Sequence, residues 1–246
     1  MTLRSLTAIV ALCVCFGVTA GAQKPVKQKI VVNGHERTYL VFTPPPGAEP
    51  PALLLLLHGS GRDAASILDP WQSLARKEHI VLVAPDSLDR AGWSLADDGP
   101  EFIRRIVDAA ASSAGVDGRR MYVFGHSAGG HQALDLGLLE SEYFAAAAAH
   151  AGVVLEPQLK LRLADRKIPI GLWSGTDDRL VPIDMVRSTE ATLKNAGFPV
   201  VLTTMPGHTH DYYGVSGQVN AAVWAMLKAE KLTADPKFKE YRYAPS

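Results

Sequence analysis

Residues 121–130 of the chain read MYVFGHSAGG. The apolar run at 121–124 predicts a buried strand, and the apolar stretch at 128–139 predicts a helix. Between them lies Gly-His-Ser-Ala-Gly, a Gly-x-Ser-x-Gly motif at residues 125–129. A serine on so sharp a strand-to-helix turn has a strained backbone, so small residues are needed two positions to either side. The motif lies between a predicted strand and a predicted helix, as a nucleophile elbow requires, so Ser127 is a candidate nucleophile.

The chain around the elbow alternates between apolar runs and helix-like stretches. Two short strands, at 29–32 and 38–42, flank Asn33-Gly34, a strong hairpin signal. Continuous apolar runs are typical of parallel strands covered on both faces. The alternation predicts an α/β fold with a mostly parallel central sheet, an N-terminal antiparallel hairpin and helices on both faces. The remaining predicted strands lie at 52–57, 80–84, 145–149, 168–173 and 200–205, and the remaining helices at 67–77, 101–113, 183–195 and 219–228.

Candidate partners for Ser127 follow the later strands, where open α/β sheets bind their ligands. A serine nucleophile needs a histidine base and an acid that orients the histidine, in the chain order Ser, acid, His. Asp177 and Asp178 follow the run at 168–173, and His208 and His210 follow the run at 200–205. Position alone leaves both alternatives open for the acid and for the base.

Acyl transfer also needs two backbone N–H donors for the developing oxyanion. Ala128, the residue after the nucleophile, supplies one of them. The loop after the run at 52–57 reads HGSG at residues 58–61, and Ser60 is the candidate for the second donor, with Gly61 as the alternative. His58 is interpreted as a brace for this loop.

Other residues fall near the predicted site. Trp93 is predicted to bind substrate, with a packing role as the alternative, and His126 to form a wall of the site. His150 follows a strand and faces the same edge, whereas His131 is placed on a helix surface. No His-x-x-x-His pair with a carboxylate partner and no phosphate-binding glycine fingerprint occurs, so neither a metal nor a nucleotide cofactor is expected.

Composition and the N-terminus set the context. The chain has 246 residues, with 25 basic and 25 acidic side chains, and no basic stripe indicates a nucleic-acid partner. Arg4, an apolar run at 6–18 and Ala-Gly-Ala at 20–22 predict a cleavable signal peptide over residues 1–22, with an uncleaved anchor as the alternative. Residues 23–246 would then form one domain without cysteine, secreted or periplasmic and free of the membrane after cleavage.

These motifs together resemble the α/β-hydrolase superfamily, in particular polyhydroxybutyrate depolymerases, feruloyl esterases and dienelactone hydrolases. The Asp-x-x-Val-Pro pattern of many esterases matches residues 178–182 and favours Asp178. Alignment on Pro-Gly with dienelactone hydrolases favours His210, whereas the Gly-Gly-His-Thr-Trp stretch of feruloyl esterases favours His208; we choose His210.

The resemblance implies a carboxylic ester hydrolase without cofactors. The connection at residues 152–167 is too short for a large cap domain, which suits short-chain esters or esters linked to a polymer or plant wall. The alternatives are a peptidase or thioesterase with the same residues, and a non-catalytic binding protein.

Overall fold

A computed structural model describes residues 23–239. The predicted signal peptide, with Cys13 and Cys15, lies outside the described residues. The described chain forms one eight-stranded sheet in the order β1-β2-β4-β3-β5-β6-β7-β8. The strands are β1 (Val26–Val32), β2 (His35–Phe42), β3 (Ala52–Leu57), β4 (Ile80–Pro85), β5 (Met121–His126), β6 (Ala146–His150), β7 (Ile170–Gly175) and β8 (Val200–Met205).

The predicted sheet topology is confirmed. β1 pairs antiparallel with β2 and β2 antiparallel with β4, whereas every other neighbouring pair is parallel. Asn33 and Gly34 join β1 to β2 with φ angles of 50° and 81°, the left-handed conformations that a tight two-residue hairpin turn requires. The parallel strands therefore present their carboxyl ends, and the loops after them, at one edge.

Helices cover both faces of the sheet. They are α1 (Ala64–Leu68), α2 (Gln72–Glu78), α3 (Pro100–Ala114), α4 (Ala128–Leu139), α5 (Pro157–Leu163), α6 (Ile183–Asn195) and α7 (Ser216–Leu227). Because successive strand residues point to opposite faces, Leu53 and Leu55 pack with α3, α4 and α6, whereas Leu54 and Leu56 pack with α1 and α7. Each continuous apolar strand thus contributes side chains to two hydrophobic cores, one on each face of the sheet.

Two helix predictions needed correction. The helix expected at 67–77 is divided into α1 and α2 by the 3₁₀ turn Asp69–Trp71, since Pro70 has no N–H for an α-helical hydrogen bond. The connection at 152–167 contains the unpredicted helix α5, whose seven residues are far too few for a cap domain. β7 begins two residues later than expected, after Pro169. No helix within residues 23–239 is both long enough and apolar enough to cross a membrane.

Candidate active site

Ser127 lies on the predicted sharp turn between β5 and α4. Its backbone has φ 56° and ψ −121°, a conformation that side-chain-bearing residues rarely adopt. Its amide donates to the carbonyl of His150 at 2.9 Å, and its carbonyl accepts from the amide of His131 at 3.0 Å. The turn therefore holds the serine hydroxyl above the carboxyl end of the sheet.

Glycines surround this turn because the backbone passes too closely for side chains. A Cβ atom on Gly125 would collide with the carbonyl of Gly129, and one on Gly129 would collide with the carbonyls of Leu57 and His58. These contacts are with backbone, which cannot move aside without displacing β3 or α4. The small residues of the motif are thus a steric requirement of the elbow.

His210 brings the candidate base to the candidate nucleophile. Its Nε2 lies 2.8 Å from Oγ of Ser127, and its Nδ1 lies 2.7 Å from Oδ2 of Asp178. A carboxylate only accepts hydrogen bonds, so Nδ1 of His210 donates to Asp178. In the neutral imidazole this leaves the lone pair of Nε2 facing the serine hydroxyl, the geometry of a general base.

Asp178 is held in place by the chain on both sides of its carboxylate. Its Oδ1 accepts from the amides of Leu180 and Val181, each at 2.9 Å, and its side chain is fully buried. The side chain of Asp177 is instead exposed, and among residues 23–239 it accepts a hydrogen bond only from the hydroxyl of Thr176, at 3.0 Å. Of the two predicted acids, the structure places Asp178 against His210.

Two amides lie free near the nucleophile. Neither the Ser60 nor the Ala128 amide donates a hydrogen bond to any of residues 23–239. The Gly61 amide, the alternative from the sequence, donates to the carbonyl of Arg90 at 2.7 Å. Gly59 lies against Ser127, where an added Cβ would come within 3.5 Å of the serine Cβ. This loop therefore brings Ser60, and not Gly61, to the site with an available N–H.

His58 and Trp93 form a brace behind that loop. Nδ1 of His58 donates to the carbonyl of Gly59 at 2.9 Å, and its Nε2 accepts from the amide of Ser87 at 3.2 Å. Burial lowers the pKa of His58, which agrees with this neutral tautomer. Nε1 of Trp93 donates to the carbonyl of His58 at 2.8 Å, and the two rings pack at 4.8 Å. The structure thus gives Trp93 a packing role rather than a place in the cavity lining.

A cavity of about 760 Å³ opens above Ser127. Its wall includes charges of both signs and one prominent apolar side chain, Leu180, which is 75% exposed. The guanidinium of Arg62 lies 4.6 Å from the ring centre of Tyr213 and forms one side. The full lining is Gly59, Ser60, Arg62, His126, Ser127, Asp177, Arg179, Leu180, Thr209, His210, Asp211 and Tyr213.

Three further histidines meet beside this cavity. Nδ1 of His126 lies 3.1 Å from Nδ1 of His150, and Nε2 of His150 lies 3.3 Å from Nε2 of His208. Burial, followed by the charges of neighbouring histidines, lowers the pKa of His126 to about 2 and that of His150 to about 4. His208 thus contacts His150 and not Ser127. Among the described residues, no group of three or more acidic, histidine or cysteine side chains is arranged to hold a metal ion.

Several of these contacts could not be predicted from the sequence pattern used above. His131 was expected on a helix surface, but its Nδ1 accepts from the amide of Val153 at 2.9 Å and burial lowers its pKa. The contact between His126 and His150 had a readable signal, because β5 and β6 are neighbouring parallel strands that both end in histidine. No comparable pattern in the sequence indicated that Arg62 and Tyr213 line the cavity.

Comparisons with known proteins identify the family of this chain. Residues 73–233 match the dienelactone hydrolase family, a segment that contains Ser127, Asp178 and His210. NocK of Nocardia uniformis subsp. tsuyamanensis, an esterase by name, is 29% identical over an alignment of 179 residues that covers 67% of this chain and 52% of that protein. The chain thus spans about half the length of this curated relative.

Solved structures share the fold at low sequence identity. The S-formylglutathione hydrolase FrmB of Staphylococcus aureus matches with a TM-score of 0.70 and 16% identity, over 84% of this chain and 100% of that one. A ferulic acid esterase matches with a TM-score of 0.70 and 18% identity, over 84% of this chain and 98% of that one. Both place the architecture among the α/β-hydrolases.

Proposed function

Because this chain belongs to the dienelactone hydrolase family, we propose that it is a serine hydrolase that cleaves carboxylic esters through an acyl-enzyme intermediate. The observation that carries the proposal is the continuous pair of hydrogen bonds from Asp178 through His210 to Ser127, at 2.7 and 2.8 Å. A serine hydroxyl is a weak nucleophile until a base takes its proton, and this arrangement supplies that base already oriented.

In acylation, Oγ of Ser127 attacks the ester carbonyl carbon while Nε2 of His210 takes the hydroxyl proton. The carbonyl oxygen becomes an oxyanion, which the free amides of Ser60 and Ala128 stabilise. When the tetrahedral intermediate collapses, the carbon–oxygen bond to the alcohol breaks, and His210 returns the proton to the departing alkoxide. The acyl group remains on Ser127.

In deacylation, a water molecule takes the place of the alcohol. His210 removes a proton from the water as its oxygen attacks the acyl carbon, and the same two amides stabilise the second oxyanion. Collapse breaks the bond to Oγ of Ser127, which regains its proton from His210. Asp178 keeps the imidazole in the required tautomer and stabilises its positive charge in both steps.

The cavity suits a small or extended ester more than a long-chain fat. A volume of about 760 Å³ lies in the range of small-molecule sites. The seven-residue helix α5 stands where a large lid would be inserted, so the cavity remains open. We therefore propose short-chain esters, or ester groups linked to a polymer or plant-wall fragment, as substrates.

The test is hydrolysis of p-nitrophenyl acetate, butyrate and octanoate by the purified protein and by Ser127→Ala. Turnover that falls with chain length and is lost in the variant supports the proposal, as does a fluorophosphonate label on Ser127 located by mass spectrometry. Two further substrates carry the same butyryl group, one as an anilide and one as a thioester. Cleavage of the anilide would indicate peptidase activity, and preferential cleavage of the thioester would indicate thioesterase activity. A folded protein that neither turns over an ester nor reacts with the fluorophosphonate would instead be a binding protein.

A further inference from the structure

The imidazoles of His126, His150 and His208 form a continuous chain that the proposed reaction does not use. The two nitrogen-to-nitrogen distances along it are 3.1 and 3.3 Å. His150, at its centre, is fully buried, and His126 is 4% exposed. Buried polar rings cost desolvation energy that apolar side chains would not, unless their hydrogen bonds offset it. The three imidazoles therefore form a buried polar network next to the reacting residues.

We propose that His150 is a positioning residue that holds the nucleophile and the loop of the base in register, an inference that rests on the proposed function. Its carbonyl accepts the amide of Ser127 at 2.9 Å. Its ring contacts His126, the residue before Ser127, on one side and His208, two residues before His210, on the other. His150 thus reaches both reacting segments.

Two hydrogen bonds of main-chain atoms in the base loop, which comprises residues 206–210, lead to a strand other than β5. The amide of Asp177 donates to the carbonyl of His208 at 3.0 Å, and the amide of Gly207 donates to the hydroxyl of Thr176 at 2.8 Å. Both bonds hold the loop to the end of β7, which does not carry the nucleophile. The imidazole of His150 extends this attachment across β6 to β5, where the elbow begins.

The chemistry of imidazole suits this bridge. A neutral histidine has one N–H and one lone pair, so His150 donates at one nitrogen and accepts at the other. Burial favours this neutral form by lowering the pKa of His150 to about 4. Glutamine also offers a donor group, its NH₂, and an acceptor, its carbonyl oxygen, whereas phenylalanine fills similar space and offers neither. These two residues therefore separate hydrogen bonding from packing.

The experiment compares His150→Phe and His150→Gln with the wild type, using p-nitrophenyl butyrate. Active sites are counted by fluorophosphonate titration, so that kcat refers to folded, reactive molecules. We expect His150→Phe to lower kcat about 10- to 100-fold with little change in KM, because small misplacement of reacting groups is costly. His150→Gln should recover most of this loss. His131→Phe is the matched control and should keep the wild-type kcat, because within residues 23–239 the His131 ring hydrogen-bonds only to Val153 and the variant retains the main-chain amide that donates to Ser127.

Several outcomes would overturn the inference. Equal kcat losses in the phenylalanine and glutamine variants would mean that the imidazole hydrogen bonds are not responsible. A lower Tm with an unchanged kcat per titrated site would mean a packing role alone. Should His150→Phe fail to fold, ¹⁵N NMR of the wild type decides: the inference requires one protonated and one bare ring nitrogen on His150 at neutral pH. A wild type that reacts with neither ester nor fluorophosphonate would overturn the proposed function as well. Equal kcat losses, or a lower Tm with unchanged kcat, would overturn only the role of His150.

Discussion

Nε2 of His210 lies 2.8 Å from Oγ of Ser127, although 83 positions separate the two residues in the chain. The contact forms because β5 and β8 end at the same edge of one sheet, with β6 and β7 between them. His208, only two residues before His210, meets His150 instead. The structure therefore places His210, which the resemblance favoured, and not His208 against the nucleophile.

The first prediction follows from this separation. Ser127→Ala and His210→Ala should each lower kcat for p-nitrophenyl butyrate by about 10⁴- to 10⁶-fold, because the nucleophile and its base act as one unit. His208→Ala should lose far less, since His208 touches neither reacting atom. Steady-state kinetics on the three variants checks this. A severe loss in His208→Ala with an active His210→Ala would move the base to His208.

The second prediction concerns the neighbouring carboxylates. Asp178→Asn should lower kcat by about 10⁴-fold, because an amide facing Nδ1 of His210 no longer selects the tautomer that accepts from serine. Asp177→Asn is the matched control and should keep kcat close to wild type, since Asp177 lies at the exposed rim. The comparison needs only kcat and a circular dichroism spectrum of each variant. Similar losses in both would mean that the acid is not Asp178 alone.

The third prediction distinguishes the two roles considered for Trp93. Trp93→Phe removes the hydrogen bond from Nε1 to the carbonyl of His58 and should lower the free energy of unfolding by about 1 kcal/mol. KM for p-nitrophenyl esters should stay near the wild-type value, because the ring packs behind the loop. Urea unfolding and KM are measured together. A several-fold rise in KM at unchanged stability would assign Trp93 to substrate binding.

Much of the fold could be predicted because local patterns determine it. A buried parallel strand must be apolar on both faces, and the run at residues 52–57 became β3 without any change of boundary. The run at residues 200–205 likewise became β8 unchanged, whereas the limits of the other strands were off by one to three residues. In β5 the reason is that the polar residue His126 continues the pairing. The division of the helix expected at 67–77 was signalled by Pro70, which lacks an N–H, but the apolar pattern on either side of Pro70 outweighed that signal in the prediction.

The candidate site was predictable to the extent that it follows motifs. The elbow requires residues close in sequence, so Ser127 and the free amide of Ala128 could be inferred directly. Buried pairs between distant segments could not. Arg37 forms an ion pair with Asp98, 61 positions away, and both side chains are almost fully buried. This pair anchors the segment that carries Trp93 to β2, and neither neighbourhood in the sequence indicates it.

The last prediction is that acid destabilises the protein through its buried histidines. Burial lowers the pKa of His150 from 6.5 to about 4. Between these values the unfolded chain binds a proton at His150 that the folded protein does not. By linkage, the free energy of unfolding then falls as the pH falls from about 6.5 towards 4, by up to about 1.4 kcal/mol per pH unit for one such group.

Comparison with His150→Gln isolates this effect, because glutamine does not titrate. Burial raises the pKa of Asp135 to about 6, so this carboxyl binds a proton in the folded protein at a higher pH than in the unfolded chain. Asp135 therefore raises the free energy of unfolding as the pH falls, which opposes the effect of His150. This contribution is the same in the wild type and in His150→Gln. Between about pH 7 and pH 5, urea unfolding should show a smaller loss of stability in His150→Gln than in the wild type. The exposed His35→Gln variant should follow the wild type. Parallel curves for all three proteins would mean that folded His150 binds protons as readily as the unfolded chain.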